Sequence, residues 1–469
     1  MDMLKVDVAV IGAGTAGLAA YRAAKARGGK AVIIEGGPYG TTCARVGCMP
    51  SKLLIAAAEA SHAIDRAPGF GVHVEGTKRI DGRAVMDRVR RERDRFVGFV
   101  LEGVERIPEA DRIRGDATFI DRNTLQVSGG PRISARSIVI ATGSRPFVPP
   151  QLTGLGDRLV VNDDVFGWDD LPKSVAVFGP GVIGLELGQA LARLGVRVVV
   201  LGRGGRVGPI SDPVVKAAAI KAFAEDFGLD ADAHVVRVER VGDEVEIEYT
   251  SRDGKAMTER FEYVLAATGR VPNVDRLEIG NAKLEIGPFG SPAFDRKTLQ
   301  VGDTSVFIAG DAANDMPLLH EAADEGRIAG ENAMRFPAVS PGLRRAPLGV
   351  VFSDPQIAVV GGGMAALAKG AFVTGGVSFE DQGRSRVMLR NRGHLSVYGD
   401  SADGRFLGAE MVGPDAEHIG HLLAWALQAR MTVSQMLDMP FYHPVVEEGL
   451  RTALRDLDAK LREARKLAA

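Results

Sequence analysis

The residues with the clearest capacity for chemistry are Cys43 and Cys48, the only cysteines in a sequence of 469 residues. Four residues separate them, and at the start of a helix that spacing lets two sulfurs approach disulfide geometry, which needs Cα atoms roughly 4.4–6.8 Å apart. A bridge that closes so short a loop stabilises a fold little, so the pair is a candidate for redox chemistry. Taken alone, the spacing is equally compatible with two buried thiols that do no chemistry.

A glycine motif near the N-terminus predicts a dinucleotide site. The surrounding segments alternate strand, helix and strand, over residues 6–11, 18–26 and 31–34. Gly12 would form the turn, Gly14 would let backbone amides approach a pyrophosphate at the helix N-terminus, and Gly17 would permit close packing of helix and strand. Glu35, about 20 residues after the glycines, would accept a hydrogen bond from a ribose hydroxyl.

The same pattern recurs in the middle of the chain. A buried strand over residues 175–178 leads into Gly179, Gly181 and Gly184, and a helix and a strand follow over residues 185–194 and 196–201. The repeat predicts a second dinucleotide site.

At the end of this second unit, the acid expected to bind the adenosine ribose is missing. Gly202 takes its place, and Arg203 and Arg206 follow. Cations at this point suit a 2′-phosphate and therefore favour NADP. The alternative is that both arginines are solvated loop residues.

The composition narrows the possible partners. A formal net charge of −2 and a pI near 6.5 argue against nucleic acid and against an anionic membrane as partners. Two cysteines in so long a chain favour a reducing compartment, and the first 18 residues lack the pattern of a signal or membrane segment. We therefore expect a cytoplasmic protein of about three domains.

Seven motifs together carry a resemblance to a known family, the FAD-dependent pyridine nucleotide-disulfide oxidoreductases, and within it to the dihydrolipoamide dehydrogenase branch. In chain order the motifs are Gly12–Gly17, Cys43–Lys52, Ala141–Pro146, Gly179–Glu186, Ala267–Asn273, Phe307–Ala312 and His443–Glu448. They extend over essentially the whole chain, and the cysteine stretch is the most specific of them.

The resemblance implies an α/β fold with two Rossmann-like domains, one for FAD and one for NAD(P), and a C-terminal α+β dimerisation domain. The expected boundaries are 1–148 and 274–345 for the FAD-binding part with a central segment, 149–273 for the NAD(P)-binding domain, and 346–469 for the dimerisation domain. It further implies a homodimer with a shared active site and no metal.

The resemblance also implies which residues bind the cofactors. FAD would be bound by Gly12, Gly14, Gly17, Glu35, Thr42, Lys52, Thr142, Gly143 and Asp311, with Asp311 on the ribityl chain. The nicotinamide cofactor, NAD or NADP, would be bound by Gly179, Gly181, Gly184, Arg203, Arg206 and Gly269. Gly184 stands where the resemblance would favour alanine in an NADP enzyme. It therefore favours NAD, whereas Arg203 and Arg206 favour NADP.

The catalytic roles come from the resemblance as well. Cys48 would take electrons from the flavin, Cys43 would be the outer thiol that meets the substrate, and Lys52 and Glu186 would pair beside the flavin. His443, contributed by the partner subunit, would be the acid–base.

The motif that contains this histidine predicts how its side chain is held. We expect Pro444 to open a helix and Glu448, about one turn further, to orient the imidazole. Val445 replaces the threonine of the family motif, which removes a hydroxyl but neither of the residues that move protons.

The predicted activity is that of a dihydrolipoamide dehydrogenase acting on a lipoyl-type or small-molecule dithiol. Met49–Lys52 favours this branch, and the absence of a further cysteine pair excludes mercuric reductase and the large thioredoxin reductases. Thr41 and Arg45 depart from the family pattern beside the cysteines. They leave open a NADPH-dependent reductase of another disulfide, and a flavoprotein redox sensor without turnover is the alternative from another class.

Overall fold

The computed structural model describes residues 3–288 and 290–468. The chain divides into two compact units. The first consists of Met1–Pro50, Arg90–Phe147 and Gly269–Arg344, and the second of Ser51–Val89, Val148–Thr268 and Arg345–Ala469. The domain boundaries given above stay predictions.

The first unit is built on a mixed sheet whose central strands are parallel. Its strand order is Arg112–Arg114, Ala31–Glu35, Met3–Ile11, Arg132–Ile140, Thr124–Val127 and Ala117–Asp121, with Val306–Ile308 also paired to Arg132–Ile140. The central strands are rich in Val and Ile, and the side chains of Val8 to Val10 are fully buried, as expected when helices or loops cover both faces. Ser144–Pro146 and Arg270–Pro272 form a separate antiparallel pair.

Among the described residues, three α-helices lie wholly within the first unit. They are Thr15–Ala26, Thr42–Val46 and Leu319–Arg335, and the helices Cys48–Arg66 and Gly82–Glu105 have residues in both units. Thr15–Ala26 follows the glycine turn directly, so its N-terminus lies at the carboxyl end of the strand Met3–Ile11. This is the place where a parallel α/β sheet binds a dinucleotide.

The second unit repeats the arrangement. Its parallel sheet has the order Gly228–Asp230, Arg197–Leu201, Ser174–Phe178, Tyr263–Ala266 and Leu159–Val160, and a separate antiparallel sheet has the order His234–Val241, Glu244–Thr250 and Ala256–Phe261. The helices are Asn162–Val165, Val182–Arg193 and Pro213–Phe223. Val182–Arg193 begins after Gly181, as Thr15–Ala26 begins after Gly14.

The C-terminal part of the second unit is an antiparallel sheet with helices. The strand order is Leu348–Val351, Gln356–Val360, Phe406–Gly413, His394–Asp400 and Phe372–Ser378. The α-helices of this part are Gly383–Val387, Ala416–Gln428, Val433–Leu437 and Glu448–Ala468. The short 3₁₀ helices of the described chain are Ala67–Phe70, Glu109–Asp111, Pro150–Arg158, Ile279–Ala282, Gly310–Ala313 and Met364–Ala366. The spacing of Leu450, Leu454, Leu457 and Leu461 in the sequence predicts one apolar helix stripe. All four side chains are buried, so this prediction is confirmed.

These observations confirm the α/β class, the two Rossmann-like folds and the C-terminal α+β region. One local prediction is wrong: Pro444 does not open a helix, because residues 443–447 form turns and the helix begins at Glu448. Within the described residues, no helix is long and apolar enough to cross a bilayer.

Candidate active site

The two cysteines lie on consecutive helices. Cys43 is in the short helix Thr42–Val46 and Cys48 begins the helix Cys48–Arg66. Thr41 caps the first helix, its hydroxyl accepting a hydrogen bond from the amide of Ala44 at 3.4 Å. A Cβ at Gly47 would lie 3.2 Å from the Cα of Cys43, so the turn between the helices folds back onto that residue. Cys43 is half-buried and Cys48 is exposed.

Cys43 lines a cavity of about 490 Å³ in the first unit. Most of the other lining side chains are apolar: Leu18, Ala19, Ala44, Met49, Phe96, Phe99, Val100, Leu319 and Ala323. Arg22 is the cation of this lining. The cavity can therefore receive an apolar ligand beside Cys43.

The first glycine turn has the features of a dinucleotide site. The two carboxylate oxygens of Glu35 accept hydrogen bonds from the amides of Ala13 and Gly37, at 2.8 and 2.7 Å. Apart from the glycine itself and its two chain neighbours, no atom of the described residues lies within 4 Å of the position that a Cβ would take at Gly14, which leaves space beside the N-terminus of the helix Thr15–Ala26. The buried hydroxyl of Thr142 has no hydrogen-bond partner among the described residues. This combination of an open helix N-terminus, a fixed acid and an unsatisfied hydroxyl fits FAD.

Asp311 lies in a hydrogen-bonded turn of the same unit. Its carboxylate accepts a hydrogen bond from the hydroxyl of Ser144 at 2.6 Å, and Ser144 accepts one from Arg270 Nε at 2.7 Å. The carbonyl of Gly143 accepts a hydrogen bond from the amide of Asn273 at 2.9 Å. Asp311 is thus held on one side by a hydroxyl that is itself held by a guanidinium.

Lys52 and Glu186 form an ion pair in the second unit. Lys52 Nζ lies 2.8 and 2.7 Å from the two carboxylate oxygens of Glu186. The amide of Phe352 donates a further hydrogen bond to Glu186 at 3.0 Å, and the Phe352 ring lies 4.4 Å from Lys52 Nζ. Glu186 is only 5% exposed, so these partners offset the cost of burying its charge.

The second glycine turn differs from the first at the end of its second strand. Gly202 is enclosed, because a Cβ there would lie 2.6 Å from Cγ of Pro180 and 2.7 Å from the carbonyl oxygen of Ala231. Arg203 and Arg206 are exposed, and neither forms an ion pair within the described part of the chain. The site therefore has two available guanidinium groups and no room for an acid at position 202.

The remaining glycines of the predicted sites lie on loops or helix starts. Gly12 and Gly179 each follow a strand, and Gly17 and Gly184 lie in the helices that come after. The carbonyl of Gly269 accepts a hydrogen bond from the amide of Phe147 at 2.9 Å.

His443 and Glu448 meet in the second unit. The Nδ1 atom of His443 lies 3.0 and 3.1 Å from the two carboxylate oxygens of Glu448. The hydrogen bond to His443 holds the pKa of the Glu448 carboxyl below its usual range, with the amide of Val445 and Arg451 contributing. The His443 side chain is 81% exposed, which leaves its other nitrogen accessible.

Three contacts of these residues escaped the sequence analysis. Phe352, Ser144 and Arg270 hold Glu186 or Asp311 but come from strands or loops far away in the sequence. Ser144 and Arg270 lie within two of the motifs that carry the resemblance, but neither motif indicates the contact that the residue makes, and Phe352 lies outside all seven motifs.

Comparisons with known proteins agree with this geometry. Residues 6–326 match the family model described as pyridine nucleotide-disulphide oxidoreductase, and residues 348–454 match the model of its dimerisation domain, which supports a homodimer. A dihydrolipoyl dehydrogenase of Haloferax volcanii is 32% identical, with 95% of each chain covered. A mercuric reductase of Shigella flexneri is 30% identical, with 98% of this chain and 82% of that protein covered.

Among solved structures, LpdA from Mycobacterium tuberculosis superposes with a TM-score of 0.81 at 26% identity, covering 96% of this chain and 99% of LpdA. The family binds FAD and a nicotinamide cofactor. The chain belongs to the class I pyridine nucleotide-disulfide oxidoreductases.

Proposed function

We propose that this protein is a dihydrolipoamide dehydrogenase-like enzyme in which Cys43 and Cys48 form the redox disulfide. The observation that carries the proposal is the position of Cys43 on the wall of an apolar cavity of about 490 Å³. A lipoyl-type dithiol has its sulfurs on a hydrocarbon chain, and an apolar cavity suits such a substrate.

Oxidation of the dithiol takes place in two exchanges. A substrate thiolate attacks the sulfur of Cys43, so that a mixed disulfide forms, the Cys43–Cys48 bond breaks, and Cys48 leaves as a thiolate. The second substrate thiol then attacks the substrate sulfur of the mixed disulfide and releases Cys43 as a thiolate. The substrate leaves as a cyclic disulfide, and its two electrons now reside on the cysteine pair.

Proton transfer belongs to His443 of the partner subunit. An exposed imidazole can take the proton from each attacking substrate thiol, because only the thiolate is nucleophilic. Glu448 holds the ring by Nδ1 and so keeps Nε2 available for this transfer. A site completed in this way requires the dimer.

FAD supplies a carrier of two electrons between the cysteine pair and the nicotinamide. Lys52 would provide a fixed positive charge for this transfer, and Glu186 fixes the position of that ammonium group. Asp311 and Glu35 would bind the ribityl and ribose hydroxyls.

NADPH-dependent reduction of another disulfide is the second candidate. The enclosed position of Gly202 and the exposed Arg203 and Arg206 favour a 2′-phosphate over a free ribose hydroxyl. An alanine Cβ at position 184 would lie 1.9 Å from the carbonyl oxygen of Gly179. Packing alone therefore accounts for Gly184, which makes this glycine a weak argument for NAD.

The cytoplasmic location of the protein stays a prediction.

The decisive experiment follows the cysteines directly. The purified protein is reduced anaerobically with NADH or NADPH, alkylated, and analysed by mass spectrometry of the peptides that contain Cys43 and Cys48. We expect both to be alkylated only after reduction, and turnover with dihydrolipoamide and NAD(P) to follow. If reduction exposes no thiols, the disulfide is not in the electron path and the proposal is wrong.

A second comparison separates the candidates. An enzyme that reduces another disulfide would exchange electrons between NADPH and the cysteine pair but would not oxidise dihydrolipoamide. A redox sensor would show the reduction of the cysteines without turnover of any dithiol.

A further inference from the structure

A buried glutamate lies behind the turn that carries Asp311. Glu325 is 1% exposed and belongs to the helix Leu319–Arg335 of the first unit. One of its carboxylate oxygens accepts a hydrogen bond from the amide of Gly310 at 2.8 Å, and the other accepts one from Arg344 Nη2, also at 2.8 Å. A carboxylate with so little solvent contact is held by these two partners.

The contact with Gly310 fixes the turn from its inner side. Gly310 begins the 3₁₀ helix Gly310–Ala313, and Asp311 follows it directly. Ser144 holds the Asp311 side chain, whereas Glu325 holds the backbone one residue earlier. The position of the Asp311 carboxylate thus depends on a side chain that does not touch it.

The helix that carries Glu325 is also packed tightly on the first dinucleotide helix. A Cβ at Gly326 would lie 2.1 Å from the carbonyl oxygen of Ala16, and a Cβ at Gly330 would lie 2.2 Å from that of Ala20. The backbones of the two helices are therefore in direct contact. Through its hydrogen bond to Gly310, Glu325 connects the turn of Asp311 to this helix pair, which includes the helix Thr15–Ala26 that follows the glycine motif.

We propose that Glu325, as an ionised carboxylate paired with Arg344, is a positioning residue that retains FAD by fixing the Gly310–Asp311 turn. This inference rests on the proposed function, because it takes Asp311 as a ligand of the ribityl chain. Glu325 itself touches neither the substrate nor the cofactor.

The environment of Glu325 makes this anchor sensitive to pH. Burial raises the pKa of the Glu325 carboxyl to about 7, against the opposing effects of Arg344 and the Gly310 amide, while Asp315 and Glu321 raise it further. Arg344 faces Glu325, Glu321 and, at 3.7 Å, Asp315, and Asp315 also pairs with Arg296 at 2.9 Å. Above this pKa the Glu325 carboxylate is charged and its ion pair with Arg344 is intact. As the pH falls through this pKa, protonation of Glu325 removes one of the carboxylate charges that face Arg344 and weakens this ion pair.

Release of FAD from the holoprotein tests the inference without measuring activity. FAD fluorescence is recorded after dilution between pH 6 and pH 8.5. For the unmodified protein we expect release to become about tenfold faster as the pH falls, the effect of weakening one charge-assisted hydrogen bond. Glu325→Gln should release FAD fast at every pH, because the amide cannot ionise.

Glu321→Gln is the matched control. Glu321 lies one turn earlier on the same helix, is 2% exposed and pairs with Arg344 at 3.0 Å, but it does not contact the Gly310 amide. Because the Glu321 charge helps to raise the pKa of the Glu325 carboxyl, we expect this variant still to release FAD faster as the pH falls, with the midpoint of the profile moved to lower pH.

Two results would overturn the inference. One is a flat pH profile in the unmodified protein, a measurement that needs no variant to fold. The other is an identical loss of FAD from both variants, which would assign the effect to the charge cluster as a whole. A protein with the expected profile that cannot reduce Cys43 and Cys48 would support the inference and contradict the proposed function.

Discussion

Lys52 and Glu186, 134 residues apart in the sequence, form an ion pair in which one ammonium nitrogen contacts both carboxylate oxygens, at 2.7 and 2.8 Å. The carboxylate is buried and takes a third hydrogen bond from the amide of Phe352. A lysine held in this way occupies one position instead of sampling many rotamers. Catalysis that depends on a preorganised charge requires such an arrangement.

Replacing Glu186 by glutamine should slow reduction of the flavin by the preferred nicotinamide at least about tenfold, because Lys52 loses the charge that fixes it. Stopped-flow absorbance of the holoprotein measures this rate. Asp65→Asn is the control, since it removes an exposed carboxylate that pairs with another lysine, Lys78, at 2.6 Å. Equal rates in the two variants would remove Glu186 from the proposed machinery.

His443→Gln should lower turnover with dihydrolipoamide by a factor of about 10²–10⁴, the usual contribution of a general acid–base. Reduction of the cysteine pair by the nicotinamide should be unchanged, because that step does not use the imidazole. Steady-state kinetics and alkylation of the cysteines measure the two steps separately.

His418→Gln supplies the comparison for this variant. His418 is 71% exposed and lies 3.9 Å from Glu417, so it resembles His443 in exposure and in having an acidic neighbour. Undiminished turnover in His443→Gln would remove the imidazole from the proposed acid–base role.

Arg203→Ala and Arg206→Ala should each raise the KM for NADPH about tenfold and leave the KM for NADH unchanged, because only the 2′-phosphate needs these cations. Initial rates with both nucleotides test the expectation. Arg252→Ala removes an exposed arginine of the same unit that lies 3.7 Å from Asp253, and it should alter neither constant. A parallel change for NADH and NADPH would contradict a role in recognising the phosphate.

Leu454→Ala in the last helix should lower the free energy of unfolding by about 2–5 kcal/mol, because it removes a fully buried side chain and leaves a cavity. Urea denaturation followed by circular dichroism measures the change. Arg455→Ala, at the exposed neighbouring position, should stay within about 0.5 kcal/mol of the unmodified protein. Similar losses in both would mean that the burial of Leu454 does not account for the change.

The sequence predicts best where a pattern is local and repeated. The two glycine units and the leucine stripe of the last helix depend on spacing within a few turns of chain, and the structure contains all three. The ends of strands and helices in the structure differ from the predicted ends by a few residues. The first strand, for example, begins at Met3, whereas the sequence predicts Val6.

The resemblance implies one contact between distant segments, the pair of Lys52 and Glu186. Spacing along the sequence predicts no other such contact. Phe352 reaches Glu186 from a loop after an antiparallel strand, and Ser144 reaches Asp311 from another part of the first unit. Neither residue type is unusual where it stands. Pro444 shows the opposite error: proline often opens a helix, yet here the helix begins four residues later, at Glu448.

The enclosed position of Gly202 limits how the protein could be engineered to prefer the other nicotinamide. The usual design would introduce an aspartate or glutamate at the end of the second strand to bind the ribose hydroxyls of NAD. Here the first carbon of any such side chain would overlap Pro180 and the backbone of Ala231. A designer would have to rebuild the Pro180 turn first, or place the acid at position 203 or 206, where the arginines now face solvent.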